Sequence, residues 1–148
     1  MKVGLKSLAV IASVSASVFV AVFVALPTAA LAFRAINTLQ VNQVDRNVFE
    51  VVGRPGALKE DYWCGAGDYL RRELRLPWNT RIYVVSGIGQ GVTTGARSAV
   101  RFTLNPEAVG ITPYESGWVS DILAVGYARS VTAAFYYCDR RLLTNSWF

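Results

Sequence analysis

The feature that most limits what this chain can fold into is its opening segment. That segment withdraws residues from the fold and sets the compartment for the remainder. Lys2 and Lys6 precede an apolar stretch, residues 8–26, interrupted only by Ser13, Ser15 and Ser17. Pro27, Thr28, Ala29, Ala30, Leu31 and Ala32 follow. A basic start, an apolar middle and an Ala-x-Ala ending are the three parts of a secretory signal peptide. Pro27 breaks the apolar helix, since proline lacks an N–H and clashes with the preceding turn. Ala30 and Ala32 then lie extended with small side chains, which places cleavage after Ala32. An uncleaved anchor is the competing reading. The apolar run, about 19 residues, exceeds the usual signal core of about 7–15 and nears the ~20 that span a bilayer. Either way Lys2 and Lys6 stay inside and the remainder faces outward. The expected location is periplasmic or secreted, or outward-facing on a membrane anchor.

Removing residues 1–32 from 148 leaves 116, enough for one domain, 33–148. The charge falls with it. Lys2 and Lys6 go, so 13 basic residues face 10 acidic ones and the net charge drops from +5 to +3. The arginines are scattered rather than gathered in a stripe with interleaved aromatics, so no nucleic-acid partner is expected. Cys64 and Cys138 are the only cysteines. In an oxidising compartment such a pair reads as a disulfide. It closes a loop of about 75 residues, worth roughly 4 kcal/mol by chain entropy. A reactive thiol needs a neighbour that lowers its pKa, and the chain has no histidine.

Residues 39–44 and 48–52 are β-prone runs divided by Asp45-Arg46-Asn47, a turn or bulge. In the second run Val48, Glu50 and Val52 share one face; Phe49 and Val51 take the other. Gly53-Arg54-Pro55-Gly56 stops the strand. A helix follows, with Gly56 as N-cap, Glu60 and Asp61 early, and Arg71, Arg72 and Arg75 late, an order that suits the helix dipole. Trp63, Gly67, Leu70 and Leu74 share a helical face. Gly67 on that stripe permits close backbone approach beside Cys64. Pro77 marks the end.

Residues 80–86 read as a covered central strand, apolar on both faces. A Gly-rich connection, 87–95, leads to a half-buried strand over 98–104, with Val100, Phe102 and Leu104 inward. Residues 105–117 read as loop and 121–125 as a last strand. Ser130 caps a helix from Val131 to about Arg141, although Phe135-Tyr136-Tyr137 is β-prone. The expected fold is α+β: an antiparallel sheet of about four or five strands, two helices on one face, and Cys64–Cys138 joining them.

Without histidine there is no Ser-His or Cys-His pair, and two cysteines alone hold no structural zinc. No metal, cofactor or catalytic residue is assigned. Asp61 and Asp68 share a side of the first helix, so a carboxylate-dependent hydrolase is a third reading; the plainer one is a solvated face balanced by Arg71 and Arg72. Gly87-Ile88-Gly89-Gln90-Gly91 follows a strand but leads into a turn and another strand. No helix N-terminus awaits a pyrophosphate. What remains is a loop rich in donors, with Gly89, Gly91, Thr93, Thr94, Arg97 and Ser98 as candidates for contact with an anion or a partner's acidic edge. The terminal Trp147-Phe148 pair hints at an outer-membrane barrel, but eight strands of ~10 residues leave no room for the first helix.

Phe49-Glu50-Val51-Val52-Gly53-Arg54-Pro55-Gly56, Asp61-Tyr62-Trp63-Cys64-Gly65-Ala66-Gly67-Asp68-Tyr69, Thr80-Arg81-Ile82-Tyr83 and Phe102-Thr103-Leu104-Asn105-Pro106 together resemble small exported bacterial proteins of unassigned function. The resemblance covers roughly the stretch 48–106 and implies a signal peptide and a cysteine pair. It brings no catalytic residues. The expected role is non-catalytic binding or accessory work in the cell envelope, with an envelope protein or an anionic ligand as partner. A membrane-anchored assembly or interaction factor is the alternative.

The mature protein is expected to begin at Phe33. N-terminal sequencing and intact mass of the fractionated protein check this; a chain that still carries residues 8–26 supports the anchor.

Overall fold

Phe49 and Val51 point one way from their strand, and their neighbours on the next strand, Val100 and Phe102, point with them. This alternation builds the core. In the computed structural model, which describes residues 32–114 and 121–144 and the side chains as far as Asp139, six strands form one antiparallel sheet in the order β1-β2-β3-β5-β4-β6. The strands are β1 (Phe33–Arg34), β2 (Gln40–Gln43), β3 (Val48–Val52), β4 (Arg81–Gly89), β5 (Ala99–Thr103) and β6 (Ala128–Ser130). The helices are α1 (Lys59–Asp68) and α2 (Val131–Thr144). The expected α+β fold is present, with more strands than the four or five expected, because β1 and β6 are pieces of two and three residues.

Each turn has a local cause. Asp45 Oδ1 accepts the N–H groups of Asn47 at 2.7 Å and Val48 at 3.0 Å, which closes the β2–β3 hairpin. Gly56 is not the N-cap of α1. It sits at φ 77° in a tight turn where the Ala57 N–H reaches Arg54 O, and the helix begins after Leu58. Beyond Asp68 the helix widens into a π-turn, Tyr69–Glu73, and stops at Arg75, a non-glycine residue at φ 54°. The Leu76 N–H then returns to Leu70 O at 2.9 Å, satisfying a carbonyl the helix end would orphan.

Residues 121–125 form no strand. Asp121 Oδ1 accepts the Leu123 N–H at 2.9 Å and folds this stretch into a turn. The Leu123 N–H, and then the Lys59 ammonium 3.0 Å away, hold the Asp121 carboxyl below its usual pKa. The strand forms later, at β6, beyond Gly126 at φ 82°. Ser130 then caps α2, its Oγ accepting the Ala133 N–H at 3.2 Å. The aromatic run 135–137 is helical, so the Ala133-Ala134 preference and the cap prevail over local β propensity.

Both helices lie on the face that carries Phe49, Val51, Ile82, Val84, Val100 and Phe102. Trp63 is fully buried there, tilted on Phe102 with ring centroids 5.0 Å apart, and its indole N–H donates to Ile122 O at 2.9 Å. The helices touch at their backbones. A Cβ placed on Gly67 would stand 2.8 Å from the Phe135 nitrogen, so only glycine fits. Three residues earlier Cys64 bridges to Cys138 with Cα atoms 4.9 Å apart. The opposite sheet face carries Tyr83 and Val85 only half-buried, so β4 is covered by helices on one side rather than both.

Gly67→Ala is expected to lower stability by about 1–3 kcal/mol through overpacking, outweighing the helix propensity it gains. The urea midpoint measures this. An unchanged midpoint would show that the helices can part without cost.

Candidate functional site

The open sheet face carries one polar row. Asn42 on β2 stands opposite Glu50 on β3, Glu50 opposite Arg101 on β5, and Arg101 opposite Ser86 on β4. Arg101 Nε donates to Ser86 Oγ at 2.9 Å. Glu50 is fully buried despite facing away from the helices. What covers it is the Gly-rich connection between β4 and β5. The Val92 N–H donates to Glu50 Oε2 at 2.7 Å and the Thr93 N–H to Oε1 at 3.2 Å. The Thr93 hydroxyl also donates to Oε1 and accepts Asn42 Nδ2 at 2.8 Å. Hydrogen bonds to an ionised group are roughly twice as strong as neutral ones, so the carboxylate fixes the loop from beneath.

The loop's own backbone allows this approach. A Cβ on Gly91 would come within 3.2 Å of Glu50 Oε1, and the Gly91 N–H closes on Ala96 O at 2.7 Å. Gly95 takes φ 69° to complete the turn. The sequence suggests donors free for an external anion; at Val92 and Thr93 those donors face inward to an anion of the chain's own. The preceding glycines are also not loop: β4 runs through Gly89, which pairs with Ala99 across a register shift after Ser86.

The pinned connection separates two open grooves, each about 440 Å³. Thr93 and Thr94 line the first, together with β2 and with Phe33, Tyr69 and Glu73. Its amides are engaged within the fold. Gln40 Nε2 donates to Asn42 Oδ1 at 3.0 Å, and the Tyr69 hydroxyl donates to Gln43 Oε1 at 2.8 Å. Burial, and then the Glu73 carboxylate, push the Tyr69 phenol above its ordinary pKa.

Arg97 and Ser98 line the second groove, facing Gly53, Arg54 and Gly56 from the loop after β3. The two walls are tied together. The Gly53 N–H donates to Ser98 O at 2.7 Å, and the Tyr62 hydroxyl bonds Ser98 Oγ. A Cβ on Gly53 would overlap the Tyr62 hydroxyl, which explains glycine there. Arg54 Nη1 donates to Asn37 O at 2.8 Å and to Thr38 Oγ1 at 2.7 Å, so its guanidinium is fixed. Gly89, Gly91, Thr93, Thr94, Arg97 and Ser98 therefore do not form one site; the connection distributes them between β4, a buried contact and two grooves.

Asp61 and Asp68 do not form a solvated face. Asp68 is fully buried and accepts the Ile36 N–H at 2.7 Å and Arg72 Nε at 2.6 Å. That hydrogen bond chiefly raises the Arg72 pKa above its usual value. The Arg72 guanidinium also lies 4.9 Å over the Phe33 ring. Asp61 is buried at the start of α1 and accepts the Leu58 N–H at 2.8 Å. Neither carboxylate lines either groove. Among the described residues, no group of three His, Cys, Asp or Glu is placed to hold a metal. Ala32 is exposed immediately before β1; Ala30 and Trp147-Phe148 lie outside the described residues.

Two residues that shape the candidate site escape a reading of the sequence. Glu50 carries a signal, a lone charge within Val48-Phe49-Glu50-Val51-Val52, on a face shared with two valines. Arg54 carries none, since it reads only as part of a strand stop. No protein-family model, curated protein or solved structure matches this chain.

Glu50→Ala is expected to cost about 2–4 kcal/mol, because it leaves the buried-side N–H groups of Val92 and Thr93 unpaired. Hydrogen exchange checks the mechanism: protection at Val92 and Thr93 falls selectively, while the α1 amides near Trp63 keep theirs relative to the new global stability. Unaltered protection at Val92 and Thr93 would show that Glu50 does not hold the loop.

Proposed function

We propose that this protein is an exported, non-catalytic binding or accessory protein of the cell envelope, whose partner is an envelope protein or an anionic ligand. The observation that carries this reading is the 91–98 connection. It is fixed from below by Glu50 and stands between two open grooves, so it presents a preformed contact surface. Pre-organisation lowers the ordering cost of binding. The carboxylates that suggest a hydrolase, Asp61 and Asp68, serve as a cap and an ion-pair partner. The Cys64–Cys138 bridge suits an oxidising compartment.

The length of the apolar run favours a second reading, an assembly or interaction factor tethered by residues 8–26. No helix among the described residues is long and apolar enough to cross a membrane, and residues 8–26 are not among them.

The binding reading predicts that immobilised protein retains a defined component of envelope extract. It also predicts that Thr94→Ala combined with Arg97→Ala, both at exposed positions, removes most of that retention. Equal retention by the substituted protein, with its thermal midpoint unchanged, counts against a role for this connection.

A further inference from the structure

We propose that the groove between the loop after β3 and the end of the 91–98 connection is an oxyanion site. It would take a small organic phosphate or carboxylate, held by Arg54 and Arg97. The inference rests on the binding reading above and narrows it to one groove and one ligand chemistry.

Two guanidinium-bearing residues line this groove, and no carboxylate lines it with them. Among the described residues the ion pairs are Lys59–Asp121 and Arg72–Asp68, so neither Arg54 nor Arg97 is neutralised. Two like charges on one concave surface repel each other; a bound oxyanion removes that repulsion and is attracted by both.

Arg54 is set for the task. Nη1 donates to Asn37 O and Thr38 Oγ1, which fixes the plane of the guanidinium. Nε and Nη2 remain, the edge that meets a carboxylate or phosphate with two parallel hydrogen bonds. Arg97, by contrast, is exposed, with no hydrogen-bond or ion-pair partner among the described residues, and is able to close over a ligand. The two walls cannot drift apart, because the Gly53 N–H holds Ser98 O at 2.7 Å and Tyr62 braces Ser98 from the core. Pro55, Ala57 and Ala96 contribute short apolar surface, and the volume of about 440 Å³ exceeds the needs of a bare inorganic ion. A ligand with a small organic body behind its oxyanion fits both facts.

The other groove does not share this chemistry. Its amide N–H groups are already spent within the fold, Gln40 on Asn42, Asn42 on Thr93 and Gln43 on Val48 O, and the charged group that lines it is the Glu73 carboxylate. An anion is attracted to the Arg54–Arg97 side of the connection and repelled from the Thr93–Thr94 side.

The test is a titration of the purified, disulfide-bonded protein with inorganic phosphate and, separately, with succinate. Chloride at matched ionic strength is the control, and backbone amide shifts are followed by NMR. Saturable shifts are expected at Gly53, Gly56, Ala96 and Arg97. Saturation by phosphate alone identifies a phosphate site, by succinate alone a carboxylate site, and by both a general oxyanion site. Arg97→Gln is expected to weaken Kd about tenfold or more, as loss of a charge-assisted bond predicts, and it breaks no described contact of the fold. Arg54→Lys is expected to weaken binding too, because a lysine cannot offer two parallel donors. Absence of saturable shifts with either anion overturns the proposal, as does an unchanged Kd in Arg97→Gln. If the anions fail while Thr94→Ala with Arg97→Ala still abolishes retention of an envelope component, the oxyanion inference falls and the binding reading stands.

Discussion

The contact between α1 and α2 is the constraint on which the rest of the structure depends. Gly67 lets the two backbones meet, Ala134 keeps the facing surface small, and Cys64–Cys138 fixes the pair covalently. A sheet whose end strands are two and three residues long has little strength at its edges. The helix pair supplies the missing order, because α1 follows β3 and α2 continues directly from β6. Burial of Trp63, Phe102 and Leu70 beneath the helices provides the main driving force. The disulfide contributes chiefly by restricting the unfolded chain.

With one face of the sheet given to that core, the other face is left to make contacts. An antiparallel sheet tolerates such asymmetry, with water on one side. Here the open face is partly roofed by its own β4–β5 connection, and the fastening is electrostatic. A buried carboxylate is costly unless its oxygens are hydrogen-bonded, and Glu50 is hydrogen-bonded by two N–H groups and a hydroxyl. The same bonds make the connection a fixed ridge. The two grooves beside it differ in charge because one receives Glu73 and the other Arg54 and Arg97.

Much of the fold is legible in the residues themselves. The alternation of Val100 and Phe102 identifies β5 and its inward face, Asp45 identifies a hairpin, and Ser130 caps the helix it precedes. Where the fold departs from the local pattern, the cause is physical. Residues 121–125 look strand-like by hydropathy, yet the Asp121 side chain captures the Leu123 N–H and turns the chain. Gly56 looks like a cap, yet its positive φ belongs to a turn two residues earlier than the helix cap. Asp61 and Asp68 look like a solvated pair because seven residues make two helical turns. Both are instead buried: Asp68 accepts the Ile36 N–H from the segment after β1, and Asp61 accepts the Leu58 N–H at the helix start.

The sequence by itself determined the candidate export signal, the cysteine pair, the α+β class and the lack of any histidine chemistry. These follow from composition, local periodicity and short-range turn chemistry. Only the tertiary structure decided the destination of the Gly/Thr/Arg connection. Glu50 lies more than forty residues before Val92 in the chain, and Arg54 a similar distance before Arg97, so no local pattern links them. The antiparallel pairing of β3 with β5 brings them together. It turns a set of apparently free donors into one internal anion contact and one groove with two unneutralised arginines.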